Sequence, residues 1–341
     1  MQQAIYEVSE STQRMFYRVA AQTIVVEAQD SWAAKVIEKL FAGWYLTPGT
    51  ATSEVRLSPA IVIRSGVKPP EIRRDWPQFE IAGGGTCFTD GKTSYIDLEG
   101  SIVAIGKPGH TAVEVSTNGM LEIQSPALTR VVTYALAAAL RRSRLFELHS
   151  GAVIDPESGQ GVLIIGPSGS GKSTLTVQLA AAGWSFLTDD VLLLSAEGAE
   201  VTAWPLRRCF AITSETFAAS NFLQARASLD YMQAQREDKK QFVPHRVFNS
   251  EFKEQCIPKT LLFSELAGGN RSQVLRLSSG ETMARLIRMN PWSCYDRSTA
   301  AEHLAVLSAL VKQSTGYSLL AGKDLLDTET SANLIAGYTC D

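Results

Sequence analysis

Gly161-Val-Leu-Ile-Ile-Gly-Pro-Ser-Gly-Ser-Gly-Lys-Ser-Thr174 is the stretch whose reading decides the fold. Residues Gly166 to Ser173 fit G-x-x-x-x-G-K-[ST], the signature of a loop that cradles phosphate. Its flanks agree with that reading. Val162 to Ile165 is a short apolar, β-branched run that predicts a buried strand. Ser173 to Ala182 predicts a helix, with Gly183 standing where a C-terminal cap belongs. Gly166, Gly169 and Gly171 can take backbone angles closed to other residues, so successive N–H groups turn inward around phosphate oxygens. The helix N-terminus adds partial positive charge. Lys172 is expected at the β- and γ-phosphates and the Ser173 hydroxyl on Mg²⁺; Ser168, Ser170 and Thr174 complete the cradle. The stretch predicts binding of a nucleoside triphosphate.

Working outward, Leu145 to Ile154 predicts a strand, and Asp155-Pro-Glu-Ser-Gly-Gln160 a turn that leads into Gly161. So short a turn cannot cross over a sheet, because parallel neighbours need a connection of about a dozen residues or more. The two strands must run antiparallel. Pairing Asp155 with Gln160 carries His149 to a position opposite Gly166, at the mouth of the phosphate site. On the other side of the helix, Trp184 to Leu194 predicts a strand pair around Asp189-Asp190. Two carboxylates inside an apolar run are costly unless they hold a cation or a proton. One carboxylate can orient Mg²⁺ and the other can take the proton of an attacking hydroxyl. The remaining cations are Arg207-Arg208, after a strand-like stretch, and Lys239-Lys240 in a charged loop. Each pair could meet a transferred phosphate or an acidic substrate, or could be solvated surface.

The rest of the chain frames this centre. Residues 1–125 carry no catalytic motif and predict a small α+β domain: a strand or hairpin over Met15–Ala28, a helix over Ser31–Trp44, then short strands with Gly83-Gly84-Gly85 as a turn. Ser125-Pro126 marks the expected boundary, with residues 126–341 as the catalytic domain. An alanine-rich helix then runs over Leu128–Arg142, and Arg141, Arg142 and Arg144 read as its solvated, dipole-complementing end. Later strands are expected at Thr260–Phe263, Val274–Leu277 and Gly316–Leu320, and helices at Ser279–Met289 and Thr299–Gln313.

Composition excludes several functional classes. At 341 residues with net charge -3, the chain has no basic footprint for nucleic acid. No apolar run approaches the roughly 18 residues needed to span a bilayer. The five scattered cysteines suit reduced thiols better than disulfides or a zinc site. The acidic first residues lack the cationic and apolar segments of a signal peptide. The expected location is the cytoplasm.

The series Leu148-His-Ser-Gly-Ala-Val153, Gly161 to Ser173 and Leu187-Thr-Asp-Asp-Val191 resembles the core of HPr kinase/phosphorylase. It is more similar still to the HPr-kinase-related serine kinases, some of which modify ribosomal peptides such as lasso precursors. The resemblance covers residues 129–322 and is sharpest over 145–195. It implies an α/β fold related to phosphoenolpyruvate carboxykinase, in which a mixed sheet carries the phosphate loop. By position it implies His149 as the active-site histidine, Lys172 and Ser173 as phosphate and metal residues, Asp189 as the catalytic carboxylate and Asp190 as the adjacent acid on the metal side. It places Arg207 and Arg208, more loosely, among the catalytic cations. No Pro-Gly-Arg-Asn segment of the kind that engages HPr is present, which points to a dedicated peptide or protein serine acceptor. The resemblance thus implies an ATP- and Mg²⁺-dependent kinase, without membrane or nucleic-acid partners and compatible with a homo-oligomer. A small-molecule alcohol kinase and a nucleotide-dependent switch are the alternatives that the residues leave open.

Overall fold

The computed structural model describes residues 12–29, 31–42, 46–49, 58–81, 85–99, 101–106, 111–117, 126–207, 209–226, 232–233 and 239–339. The chain divides into two units, residues 1–143 and 144–341.

The first unit is built on a nine-stranded mixed sheet. The hairpin expected over Met15–Ala28 is formed by Gln13–Val19 and Gln22–Ala28, paired antiparallel. Helix Ser31–Phe41 buries Val36, Ile37 and Phe41, and the Phe41 ring meets Tyr17 edge-on at 5.0 Å. Strands Thr47–Gly49, Thr86–Thr89 and Val113–Thr117 were not expected; each is short or rich in polar residues, which hides its period. Gly83 and Gly84 lie outside the described residues.

Helix Pro126–Arg142 packs on strands Ser101–Ile105 and Val113–Thr117, burying Val131, Val132, Ala135 and Ala139. The division between units therefore follows this helix, whereas Ser125-Pro126 suggested that it would precede it. Its basic end also departs from expectation. Arg141 is only 1% exposed, and Arg142 donates back to Ala138 O at 2.9 Å. Arg144 alone is solvent-facing, 3.4 Å from Glu302.

The second unit is organised by an eight-stranded mixed sheet. Strand Gly161–Ile165 runs antiparallel to Phe146–Ile154 on one side and parallel to Pro258–Leu266 on the other. Thr315–Ala321 follows in parallel, and Gln273–Arg276 closes that edge antiparallel. The unit is thus α/β with a mixed sheet, as expected. Both sides of the sheet are covered. Val162 and Ile164 enter one core with Leu175, Leu179 and Phe186, while Leu163 and Ile165 enter another with Leu286, Leu307 and Leu310. Alternate side chains of a strand point to opposite faces, so a central strand buried on both must be apolar throughout. Helix Ser279–Met289 opens with a capping box between Ser278 and Glu281.

The reading of Trp184–Leu194 needs correction. Ser185–Thr188 and Val191–Glu197 do not pair with each other around a turn. Both run antiparallel along Phe146–Ile154, Thr188 facing Ala152 and Val191 facing His149. They are two lengths of one line, interrupted at Asp189-Asp190. The register along this line shifts between Ala152 and Val153. A further correction concerns Lys239-Lys240, which lies in strand Lys239–Phe242 rather than a loop. That strand pairs with Phe210–Thr213 and Met232–Gln233 in a small third sheet. Its Lys-Lys-Gln-Phe sequence is too polar to announce a strand.

Phe186 ties the interrupted line to this small sheet: it is fully buried and meets Phe210 and Phe248 edge-on at 5.5 and 5.7 Å. Phe186→Ala is expected to destabilise the second unit by about 3–5 kcal/mol. Urea unfolding followed by tryptophan fluorescence would show it as a lower midpoint.

Candidate active site

The loop after Ile165 has the conformation that its glycines were expected to permit. Gly169 and Gly171 take φ of 84° and 89°, a region open to glycine, and Gly171 caps helix Lys172–Ala181. Ser264 Oγ donates to Ser170 O at 2.7 Å, so the neighbouring parallel strand clasps the loop from beside it. Ser168 is exposed, whereas Ser170 is buried with no partner for its hydroxyl. Lys172 is 5% exposed and its Nζ donates to Gly166 O and Pro167 O, both at 2.8 Å. Burial lowers the Lys172 pKa, and the charge of Lys239 lowers it further; Asp190 and Asp189 oppose the shift.

The register expected from the hairpin holds. Asp155 N–H donates to Gln160 O at 3.0 Å and Ser150 faces Ile165, so His149 stands one step beyond, level with Gly166. Its Nε2 lies 2.6 Å from Asp190 Oδ1, and Arg207 Nη1 lies 2.9 Å from Asp190 Oδ2. All three side chains are partly exposed, at 39%, 26% and 31% for His149, Asp190 and Arg207. Burial pushes the Asp190 pKa up, but the His149 hydrogen bond and the Arg207 charge overcome it and hold the carboxyl far below the usual range. The structure therefore gathers His149, Asp190, Arg207 and Lys172. Arg208 lies outside the described residues.

Asp189 points the other way. It is fully buried; Oδ2 accepts from Ala211 N–H at 3.0 Å, and Oδ1 has no hydrogen-bond partner. Burial, reinforced by the Asp190 charge, raises its pKa to about 7. Ser173 Oγ lies 3.5 Å from Asp189 O, so the last residue of the loop motif and the first aspartate are neighbours.

The same geometry bears on a divalent cation. A buried, orphaned carboxylate oxygen beside a serine hydroxyl offers hard oxygen ligands only. Mg²⁺ is suited by such a set, taking one or two carboxylates and completing its shell with water and phosphate. The residues fit. Among the described residues no cluster of three or more His, Cys, Asp or Glu side chains forms an all-protein metal cage.

Three contributors escaped sequence reasoning. Thr216 Oγ1 pairs with Thr174 Oγ1 at 2.8 Å, tying the first turn of helix Lys172–Ala181 to helix Ser214–Ala219. Ala211 anchors Asp189 through its N–H, which no side-chain pattern can announce. Ser264 reaches Ser170 O with its hydroxyl from a strand distant in sequence. Lys239, expected from the sequence as a cation for phosphate or an acidic substrate, lies close enough for its charge to act on Lys172.

Comparison with known proteins adds little chemistry. No family model matches the chain, and no curated protein matches it. Among solved structures, the HPr(Ser) kinase/phosphatase from Coxiella burnetii is similar at 19% sequence identity and a TM-score of 0.23. The overlap covers 34% of this chain and 58% of that one. No helix among the described residues is long and apolar enough to cross a membrane.

The raised Asp189 pKa makes a stability prediction. An unfolded aspartate ionises near pH 3.9, whereas the folded carboxyl holds its proton to about pH 7. Its stabilising contribution is full below the unfolded value and is lost as pH rises to the folded one. Asp189→Asn, which cannot ionise, should gain on the wild type by several degrees of Tm between pH 5 and pH 8. Melting curves of both proteins across that range would check it, and a difference that stays constant with pH would refute a buried titrating carboxyl.

Proposed function

We propose that this chain is an ATP- and Mg²⁺-dependent kinase that transfers the γ-phosphoryl group to a serine hydroxyl of a peptide or protein. The observation that carries the proposal is the network His149–Asp190–Arg207 at the mouth of the glycine loop, within electrostatic reach of Lys172. A loop that only held or released nucleotide would have less use for a doubly tethered, ionised carboxylate there.

The roles follow from exposure. The acceptor hydroxyl must reach the carboxylate that orients it, and of the two aspartates Asp190 is at the surface while Asp189 is sealed. Asp190 therefore positions the hydroxyl and takes its proton as the oxygen bonds to the γ-phosphorus and the bond to the β–γ bridging oxygen breaks. Its low pKa makes it a weak base. That is tolerable because the loose transition state of phosphoryl transfer asks more for alignment than for proton abstraction. Ser173, which is partly exposed, would hold Mg²⁺, and the sealed Asp189 beside it would give up its proton to support the ion from behind; the bound ion would neutralise charge on the β- and γ-phosphates. This exchanges the roles expected for the two aspartates. Lys172 leaves its loop carbonyls for the phosphates, and Arg207 and His149 face the transferred group. The serine acceptor is supported by the family resemblance of the sequence.

The test is incubation with γ-labelled ATP, Mg²⁺ and peptides encoded beside the gene, read by mass spectrometry. Wild type should yield phosphoserine. Asp190→Asn should lower turnover by roughly 10²–10⁴-fold while nucleotide affinity stays nearly unchanged. Asp189→Asn should instead raise the Mg²⁺ concentration needed for half-maximal rate. Tight nucleotide binding without transfer to any acceptor overturns the kinase reading, and an Asp190→Asn variant of normal turnover overturns the division of roles.

A further inference from the structure

Strand Gly161–Ile165 has two neighbours, and they differ in chemistry at the ends that meet the glycine loop. Phe146–Ile154, on one side, brings His149 and through it Asp190. Pro258–Leu266, on the other, ends in Leu266, which is 65% exposed. Leu266 stands at the end of the neighbour opposite the one that carries His149, so a triphosphate with its transferred end toward Asp190 has this side open to its nucleoside. Its Cδ2 stands 3.3 Å from where a Cβ on Gly171, the residue capping the phosphate helix, would be.

This leucine is not on a loose turn. Ala267 N–H donates to Ala321 O at 3.0 Å, Lys323 N–H to Gly269 O at 3.0 Å and Asp324 N–H to Asn270 O at 3.1 Å. Ser272 donates through its backbone and its hydroxyl to the Asp324 carboxylate at 2.9 and 2.6 Å, and Gly322 N–H donates to Ser272 Oγ at 2.8 Å. The loop is therefore fixed while its first residue is left in water. Space is kept beside it, since a Cβ on Gly268 or Gly269 would meet nothing within 4 Å. A held, exposed apolar side chain adjoining a phosphate cradle matches one part of a nucleoside triphosphate, the face of its base.

We infer that Leu266, presented by residues 266–272, is the surface on which the base of the bound nucleotide packs. The inference rests on the reading of Gly166–Ser173 as the triphosphate site. A leucine reads area rather than hydrogen-bond pattern, so Leu266 favours purines over pyrimidines and does not itself separate adenine from guanine.

Titration calorimetry with Mg·ATP, Mg·CTP and inorganic tripolyphosphate would test this on wild type, Leu266→Ala and Leu266→Met. Leu266→Ala is expected to weaken ATP by roughly 5- to 20-fold, the loss for burying most of a leucine side chain. CTP should weaken less, tripolyphosphate should hold within about twofold, and Leu266→Met should restore ATP. Unchanged ATP affinity in Leu266→Ala overturns the inference, and so does an equal loss for ATP and tripolyphosphate, which would make the leucine a support of the loop. A change in oligomeric mass with ATP binding intact would assign the surface to contact between copies, against the inference. Wild-type protein that binds neither ATP nor tripolyphosphate would instead bring down the phosphate-site reading itself.

Discussion

Both lengths of the line Ser185–Glu197 hydrogen-bond to the same strand, Phe146–Ile154, and the two residues between them cannot follow the ladder. Those residues are Asp189 and Asp190, and this broken pairing is the constraint on which the site depends. In an uninterrupted strand, neighbouring side chains fall on opposite faces of one sheet and are buried or exposed together with their row. At the break, one carboxyl turns into the protein and the other reaches the surface. Two identical residues, adjacent in sequence, acquire opposite electrostatic fates: a proton held to about pH 7 on Asp189, and full ionisation on Asp190 under the hold of His149 and Arg207. Pairs of titratable groups whose surroundings drive their pKa values apart are how one fold supplies two chemical roles at one pH.

The small sheet of Phe210–Thr213, Met232–Gln233 and Lys239–Phe242 completes the arrangement from outside. The helix that follows its first strand touches helix Lys172–Ala181 through Thr216 and Thr174, and the sheet itself touches the buried aspartate through Ala211 N–H. Thr213 accepts from Thr216 N–H, so the residue beside Lys239 in the pairing also starts the helix that reaches Thr174. The cation, the loop helix and the sealed carboxyl thus share a single support. Displacing that support would disturb all three together.

Much of this was legible in the sequence, for identifiable reasons. The strand, glycine loop and helix over Gly161–Ala181 are set by local rules, namely an apolar run, glycines in left-handed backbone and a regular helix. The antiparallel hairpin and the place of His149 followed from turn length and register, which are arithmetic. What was hidden depends on partners distant in sequence. Whether Ser185–Thr188 pairs with Val191–Glu197 or with a third strand is decided by a competition for Phe146–Ile154 that no local pattern encodes. Arg141 looks like a solvated helix end and is buried, because the helix carrying it covers the first sheet. Lys239 and Lys240 lie in a strand whose composition argues against one. Ala211 contributes an amide that every residue but proline possesses.

Lys172 carries a consequence of its own. Its ammonium already donates two hydrogen bonds, to the carbonyls of Gly166 and Pro167, in a setting shielded from water. A phosphate bound as proposed would exchange partners with these carbonyls and create few bonds that were missing before. Exchange of neutral acceptors for anionic ones is rewarded by charge, since hydrogen bonds to ionised groups are roughly twice as strong as neutral ones. On the proposed reading, the resting bonds of this one lysine would set a threshold of negative charge that a bound group must exceed to draw it out of the loop.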